Sequence, residues 1–235
     1  FQMGQIGIME FSMDYEIYLI SGSPYAWSVM LAMEVKGLAY TPRVLNRTRD
    51  EHKAPEFLAI NPRGLVPVLK CGDLVICEAA AILAYLDKKH PEPSLFGTTA
   101  EDTGQIWQLI SEIDGYIRGP VADGISGPIF RGKAKSAEGA DAIKAARAPA
   151  HDAMKWVEHK LGGNSYLTGD GISAADIVLL PVLQALIRSA GKEEAASLDL
   201  GILLIQQTYP HIAAWLARIE ALPGYDNSYP PHWRE

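Results

Sequence analysis

Asn61-Pro62-Arg63-Gly64-Leu65-Val66-Pro67-Val68-Leu69, followed closely by Glu78-Ala79, is the stretch whose reading decides the fold. It places a proline inside an apolar strand pattern. Proline cannot donate to a sheet ladder, so a central strand should not contain one. An X–Pro bond held cis answers the difficulty, because it turns the chain and leaves the peptide groups beside it free to pair with a ligand. A helix starting at Glu78-Ala79 brings an N-terminus, a ready anion site, close by. Together these features point to a pocket for a small, extended, acidic peptide.

The pattern extends in both directions. Residues 15–20 (Tyr-Glu-Ile-Tyr-Leu-Ile) are β-branched and aromatic-rich and predict a strand. After Ser21-Gly22-Ser23-Pro24, the spacing of Val29, Leu31, Ala32 and Val35 predicts a helix over 25–36 with Gly37 as its stop. A second strand is expected over 40–45, and residues 46–63 read as polar and irregular. Residues 66–71 and 74–77 flank Gly72-Asp73, a strong two-residue hairpin signal. Residues 78–89 then form a helix, with Ile82, Leu83, Tyr85 and Leu86 on its apolar face. Lys88 and Lys89 complement its C-terminal dipole.

Residues 90–99 read as a linker, and beyond it strand signals cease. Helices are expected over about 101–122, 136–161, 173–190 and 209–221, with a short one near 195–206. The sequence is thus an α/β unit over 14–92 followed by an all-helical unit over 100–225. Gly169-Asp170-Gly171-Ile172-Ser173-Ala174-Ala175-Asp176-Ile177 carries a capping box, with Ser173 as N-cap and Asp176 at N3, and Ile172 and Ile177 in place for a hydrophobic staple. The apolar run after it predicts a central buried helix.

Bulk composition narrows the function. The net charge is −7 and basic residues are scattered, which argues against a nucleic-acid partner. No apolar run reaches the roughly 18–20 residues needed to span a bilayer. The first dozen residues lack the basic start and cleavage pattern of a signal peptide, and Phe1-Gln2 reads as a tag remnant, so the fold reading starts beyond them. Cys71 and Cys77 are too few for a disulfide framework and lack metal spacing, so no metal and a reduced, cytoplasmic setting are expected.

The order β-α-β-β-β-α with Val-Pro before the hairpin resembles a thioredoxin-like glutathione-binding domain. The helical half, with its Ser-x-x-Asp box, is similar to the C-terminal domain of cytosolic glutathione transferases. Four stretches carry the match: Ser23 through Val29, Asn61 through Leu69, Glu78 through Ile82, and Gly169 through Ile177. Tyr209-Pro210-His211-Ile212-Ala213-Ala214-Trp215-Leu216 adds a family-like final helix. The resemblance spans about residues 15–225 and is to serine-type, bacterial-like members, with no subclass assigned.

The resemblance implies glutathione as co-substrate. A free thiol with a pKa near ~8.5 is only a few per cent ionised at neutral pH, so such an enzyme gains by donating a hydrogen bond to the thiolate. Ser23 matches the catalytic serine and is equally suited to be an N-cap, with Pro24 at N1. Tyr25 and Ser21 are alternative donors, and Trp27 reads as packing. Val66 and Pro67 would pair with the cysteinyl unit like an added strand. Glu78 would meet the glutathione ammonium, and His52 and Lys53 its glycyl carboxylate. The family's usual Glu-Ser is Glu78-Ala79 here, which keeps the N–H but loses a hydroxyl. Leu65 replaces a common lysine at another glutathione contact. Tyr25, Trp107, Ile110, Asp114 and Tyr116 are the expected walls for a small hydrophobic electrophile. The resemblance further implies a homodimer acting in detoxification. A glutathione-dependent isomerase or ether-cleaving lyase, and a non-catalytic binding module, are the alternatives.

Overall fold

The computed structural model describes residues 14–234, so the expectations for the first dozen residues lie outside the described residues. Strand β1 (Tyr15–Leu19) buries Tyr15, Ile17 and Leu19 in strict alternation. Helix α1 (Pro24–Val35) leads to β2 (Tyr40–Val44), which runs parallel to β1. β2 lies at the sheet edge, is largely exposed and contains Pro42, as a strand with one unpaired side can. The stretch expected to be irregular contains two 3-10 turns and a one-turn helix, α2 (Pro55–Leu58), which buries Phe57. β3 (Val68–Cys71) and β4 (Leu74–Cys77) form the hairpin around Gly72-Asp73, and helix α3 (Ala79–Lys89) follows. β3 starts two residues later than the sequence implied, because the Val66–Pro67 peptide is cis and lies outside the ladder. The sheet order is β2-β1-β3-β4.

The helical half begins with α4 (Ala100–Glu112). It does not stop near residue 122. It continues in π register over Ile113–Ile117 and Gly119–Ser126, then as one α turn, α5 (Gly127–Phe130). Pro120 and Pro128 lack donors, and the looser i→i+5 register tolerates their absence. Ile117, Val121, Ile125 and Ile129, four residues apart and all buried, hold this segment to the core. The helix expected over 136–161 is two, α6 (Ala137–Ala145) and α7 (Arg147–Leu161). Pro149, in the first turn of α7, cannot bond back to Ala145, so the ladder breaks there. α8 (Ala174–Ala190) is the expected central helix and is buried along most of its length. The segment near 195–206 splits into a 3-10 turn (Glu193–Leu198) and α9 (Ile205–Thr208). α10 (Pro210–Glu220) and α11 (Tyr225–Ser228) complete the fold.

The carboxylate of Asp176 organises the centre. Its Oδ1 accepts from Leu167 N (2.9 Å) and Trp215 Nε1 (2.8 Å), and its Oδ2 from Ser173 N (2.9 Å) and Ser173 Oγ (2.6 Å). Burial pushes this carboxyl up, and the four donors offset part of that push. A second buried charge anchors the linker between the two halves. Lys36 Nζ reaches Asp87 Oδ1 (2.8 Å) and the carbonyls of His90 and Pro93 (both 2.7 Å), fixing the ends of α1 and α3 to the linker. Leu95 O then accepts from Ala174 N at the head of α8 (2.8 Å). α1 packs directly on α8.

Candidate active site

Sheet register gathers the candidate residues at one end. Tyr18 pairs with Val68, and Val68 pairs with Cys77. The chain leaving β1 toward Ser23, the chain entering β3 through Val66, and the chain leaving β4 at Glu78 therefore share a sheet end. β2 is parallel to β1, so residues 45–53 leave there too. Alternation and pairing thus converge four loops on one place without any long-range sequence signal.

Each loop has a local cause. Ser23 is the N-cap of α1, with its Oγ accepting from Ala26 N at 3.4 Å and Pro24 at N1. Capping uses a hydroxyl lone pair, so the O–H remains available to donate. Buried Asn61 shapes the loop before Val66: its Nδ2 donates to Leu65 O (2.8 Å) and its Oδ1 accepts from Arg63 N (3.2 Å). Gly64 has φ +61°, and a Cβ there would lie 2.7 Å from His52 O. Glu78, at φ +70° and ψ 120°, holds a conformation L-residues rarely adopt, just before the α3 N-terminus. Burial and the Glu78 carboxylate push the Cys77 thiol up, with Arg63 opposing them.

These loops face the C-terminal half of the long α4–α5 segment across a cleft of about 740 Å³. Ser21, Ser23, Tyr25, Arg47 and His52 line one side with Leu65 and Val66, and Arg118, Ala122, Ser126, Phe130 and Arg131 line the other. The cleft has the elements needed to hold an extended ligand along a backbone edge and to activate a group at a helix N-terminus.

Residues 22–89 match the family model described as "Glutathione S-transferase, N-terminal domain", and residues 140–218 match "Glutathione S-transferase, C-terminal domain". Glutathione S-transferase 1 of Dianthus caryophyllus is 31% identical over 182 residues, covering 77% of this chain and 80% of the relative. The chain belongs to the glutathione S-transferase family of enzymes. Human glutathione S-transferase theta-2 is 27% identical over 218 residues, covering 90% of this chain and 83% of its own. The crystal structure of a glutathione S-transferase from the Antarctic clam Laternula elliptica aligns with TM-score 0.78 and 25% identity over 94% of each chain. The thioredoxin-like N-terminal domain and all-helical C-terminal domain are those of the family.

Within this glutathione transferase the expected site residues divide. Ser23, Tyr25, His52, Leu65 and Val66 line the cleft together. His52 Nδ1 is buried with no hydrogen-bond partner among the described residues. Pro67 is buried behind Val66, and Glu78 and Ala79 lie beside them by register. Lys53 turns its ammonium to the carbonyls of Arg63 (3.2 Å) and Gly64 (3.4 Å), bracing the Gly64 turn instead of lining the cleft. Of the residues expected to form the second-substrate wall, Tyr25 lines this cleft and the other four do not. Trp107 packs on Phe96, with ring centroids 5.1 Å apart, and lines a different groove beside α3. Ile110 is in the core, and Tyr116, 74% exposed, faces a cleft against α7. Asp114 acts at one remove, by holding Arg118 Nε at 2.5 Å.

Sequence reasoning missed Arg118, Ala122, Ser126 and Phe130. A signal existed: each follows by one position a member of the buried set Ile117, Val121, Ile125 and Ile129. It also missed the role of the last aromatic residues. Trp27, 1% exposed, donates from Nε1 to Ser228 Oγ (3.1 Å) and is ringed by Tyr225, Tyr229 and Trp233. His232 Nδ1 lies 2.9 Å from Ser21 Oγ, and Arg188 Nη1 donates to Trp233 O (2.7 Å). Residues 229–234 are folded against the rim of the cleft, where His232 meets Ser21.

Among the described residues, no group of three or more His, Cys, Asp or Glu is placed to hold a metal ion, and no helix is long and apolar enough to cross a membrane.

Proposed function

We propose that this enzyme conjugates the glutathione thiolate to a small hydrophobic electrophile, with Ser23 donating its O–H to the thiolate. The observation that carries the reading is Ser23 Oγ at the α1 N-terminus, facing the same cleft as Val66. The hydroxyl and the positive end of the helix act together on the sulfur anion. Val66 supplies the backbone edge for the cysteinyl unit. The α3 N-terminus at Ala79 receives the γ-glutamyl carboxylate, Glu78 the ammonium, and His52 the glycyl carboxylate. Tyr25 and Phe130 offer the electrophile an apolar surface.

The transferase is further proposed to work as a homodimer in cytoplasmic detoxification, which family membership supports. Cys71 and Cys77 being unpaired thiols also suits a reducing compartment. The two units are proposed to divide at 14–92 and 100–225. A non-catalytic binding role is the second reading, favoured by Ala79 in place of a hydroxyl donor.

The test is a glutathione titration of wild type and Ser23→Ala, following thiolate absorbance, binding heat and kcat/KM. A hydrogen bond to a charged group is worth about 1.5–3 kcal/mol, so kcat/KM should fall about 10- to 150-fold and the bound thiol should ionise at higher pH. An unchanged ionisation pH would remove Ser23 from the mechanism. Failure of the wild type to bind millimolar glutathione would remove the reading itself.

A further inference from the structure

Two guanidinium groups stand on the second-substrate side of the cleft, and thiol activation requires neither. The Arg118 side chain is only 9% exposed. Its Nε is taken by Asp114, and its guanidinium carbon lies 4.0 Å from the centre of the Tyr25 ring. The plane of the fork is therefore fixed, while its terminal nitrogens have no protein acceptor among the described residues. Those nitrogens are not buried, so solvent reaches them and the oxygens of a bound ligand can replace that water.

Arg131 stands at the other end of the same wall. Arg131 is exposed, and a Cβ on Gly127 would lie 2.9 Å from its Nη1, so the side chain folds back across Gly127. No protein acceptor engages its guanidinium either, among the described residues. Arg47, Arg118 and Arg131 line the cleft with Asp123, while Asp114 pairs with Arg118 and Glu78 stands beside Val66 on the opposite side. Arg47 and His52 stand on the glutathione side. Arg118 and Arg131 stand across from them, with Tyr25 and Phe130 supplying aromatic faces nearby.

We infer that the electrophile carries a carboxylate beside a planar apolar body, the carboxylate meeting Arg118 and Arg131. The inference rests on the conjugation reading above and narrows its substrate class. With a chloroarene as probe, glutathione loses its thiol proton to solvent and the thiolate sulfur bonds to the ring carbon bearing chlorine. The electron pair passes into the activating nitro groups, then leaves with chloride as the C–Cl bond breaks. The carboxylate stays unchanged and serves for recognition alone.

The experiment compares 4-chloro-3,5-dinitrobenzoate with its methyl ester, each rate normalised to the uncatalysed reaction, in wild type, Arg118→Gln and Arg131→Gln. Wild type should favour the benzoate in kcat/KM by about 10-fold, the scale of a charge-assisted hydrogen bond. Both substitutions should collapse that ratio, chiefly through KM, and raised salt should lower it. Calorimetric titration of the unreactive 3,5-dinitrobenzoate and its ester reads the same preference without chemistry, and melting curves show that each variant is folded. A wild-type ratio near one, or a preference that survives in both variants, overturns the inference. If neither chloroarene reacts, the titration still decides the inference, while glutathione binding separately decides the conjugation reading.

Discussion

Asp176→Ala is expected to destabilise the protein by about 3–5 kcal/mol, worked from the donors its carboxylate satisfies. The truncation strands Leu167 N, Ser173 N and Trp215 Nε1, all on residues less than 9% exposed. A buried donor left without a partner costs about 1–3 kcal/mol, so three could reach ~9. Relief of the buried carboxylate, which burial alone disfavours as an anion, returns part of that sum. At about 2–4 °C per kcal/mol for a chain of this size, the Tm should fall by about 6–20 °C. Asp176→Asn keeps one acceptor oxygen and should cost about 1–3 kcal/mol. Ser173→Ala, losing one hydroxyl, should cost about 1 kcal/mol. Urea denaturation followed by circular dichroism and tryptophan fluorescence gives the three values, with unchanged slopes licensing the comparison. Asp176→Ala within ~1 kcal/mol of wild type would refute the reasoning, as would Ser173→Ala proving the costlier change.

Three other expectations follow from particular residues. Gly64→Ala forces a Cβ against His52 O from a left-handed backbone, so it should cost about 1–3 kcal/mol in stability and also weaken glutathione binding; calorimetry showing neither effect would count against the turn's role. Ala79→Ser should tighten glutathione binding by about 10-fold, and unchanged affinity would mean another donor already holds that carboxylate. Burial, followed by the Lys36 and Lys89 charges, holds His90 below its ordinary pKa. As pH falls through ~6.5 the unfolded chain takes this proton first, so the His90 contribution is constant above that window and stability declines within it. His90→Gln should flatten that part of a Tm–pH curve measured between about pH 8 and pH 5, and an identical wild-type slope would exclude His90 as its source.

The parts legible in the sequence were those with local causes. Gly72-Asp73 between two apolar runs specifies the hairpin, and Ser173 with Asp176 specifies where α8 starts, because each motif closes within a few residues. Ser23 and Val66 were legible through motif order, and sheet register brings their loops to one end. The far wall was not, because which way a helical side chain faces depends on what the helix packs against. Trp107 and Tyr116 have suitable chemistry on the right helix, yet Phe96 draws one aside and the other faces α7. The π register shifts the faces again from residue 113 onward, so counting in steps of 3.6 loses the cleft-facing set just where it begins.

The aromatic ring around Trp27 bears on how this chain is made. Trp27 and its hydrogen-bond partner Ser228 lie 201 positions apart. At about 5–20 residues per second, translation leaves about 10–40 s between the emergence of the indole and that of its partner. During that interval the α1 face opposite the sheet lacks residues 225–233, and for most of it lacks α8 (Ala174–Ala190) as well. The sheet can assemble on the ribosome, but its largest exposed apolar side chain waits for the end of translation. Lesions in Tyr225, Tyr229 or Trp233 would therefore act first on the yield of properly folded chains, by prolonging the exposure of a surface some two hundred residues upstream.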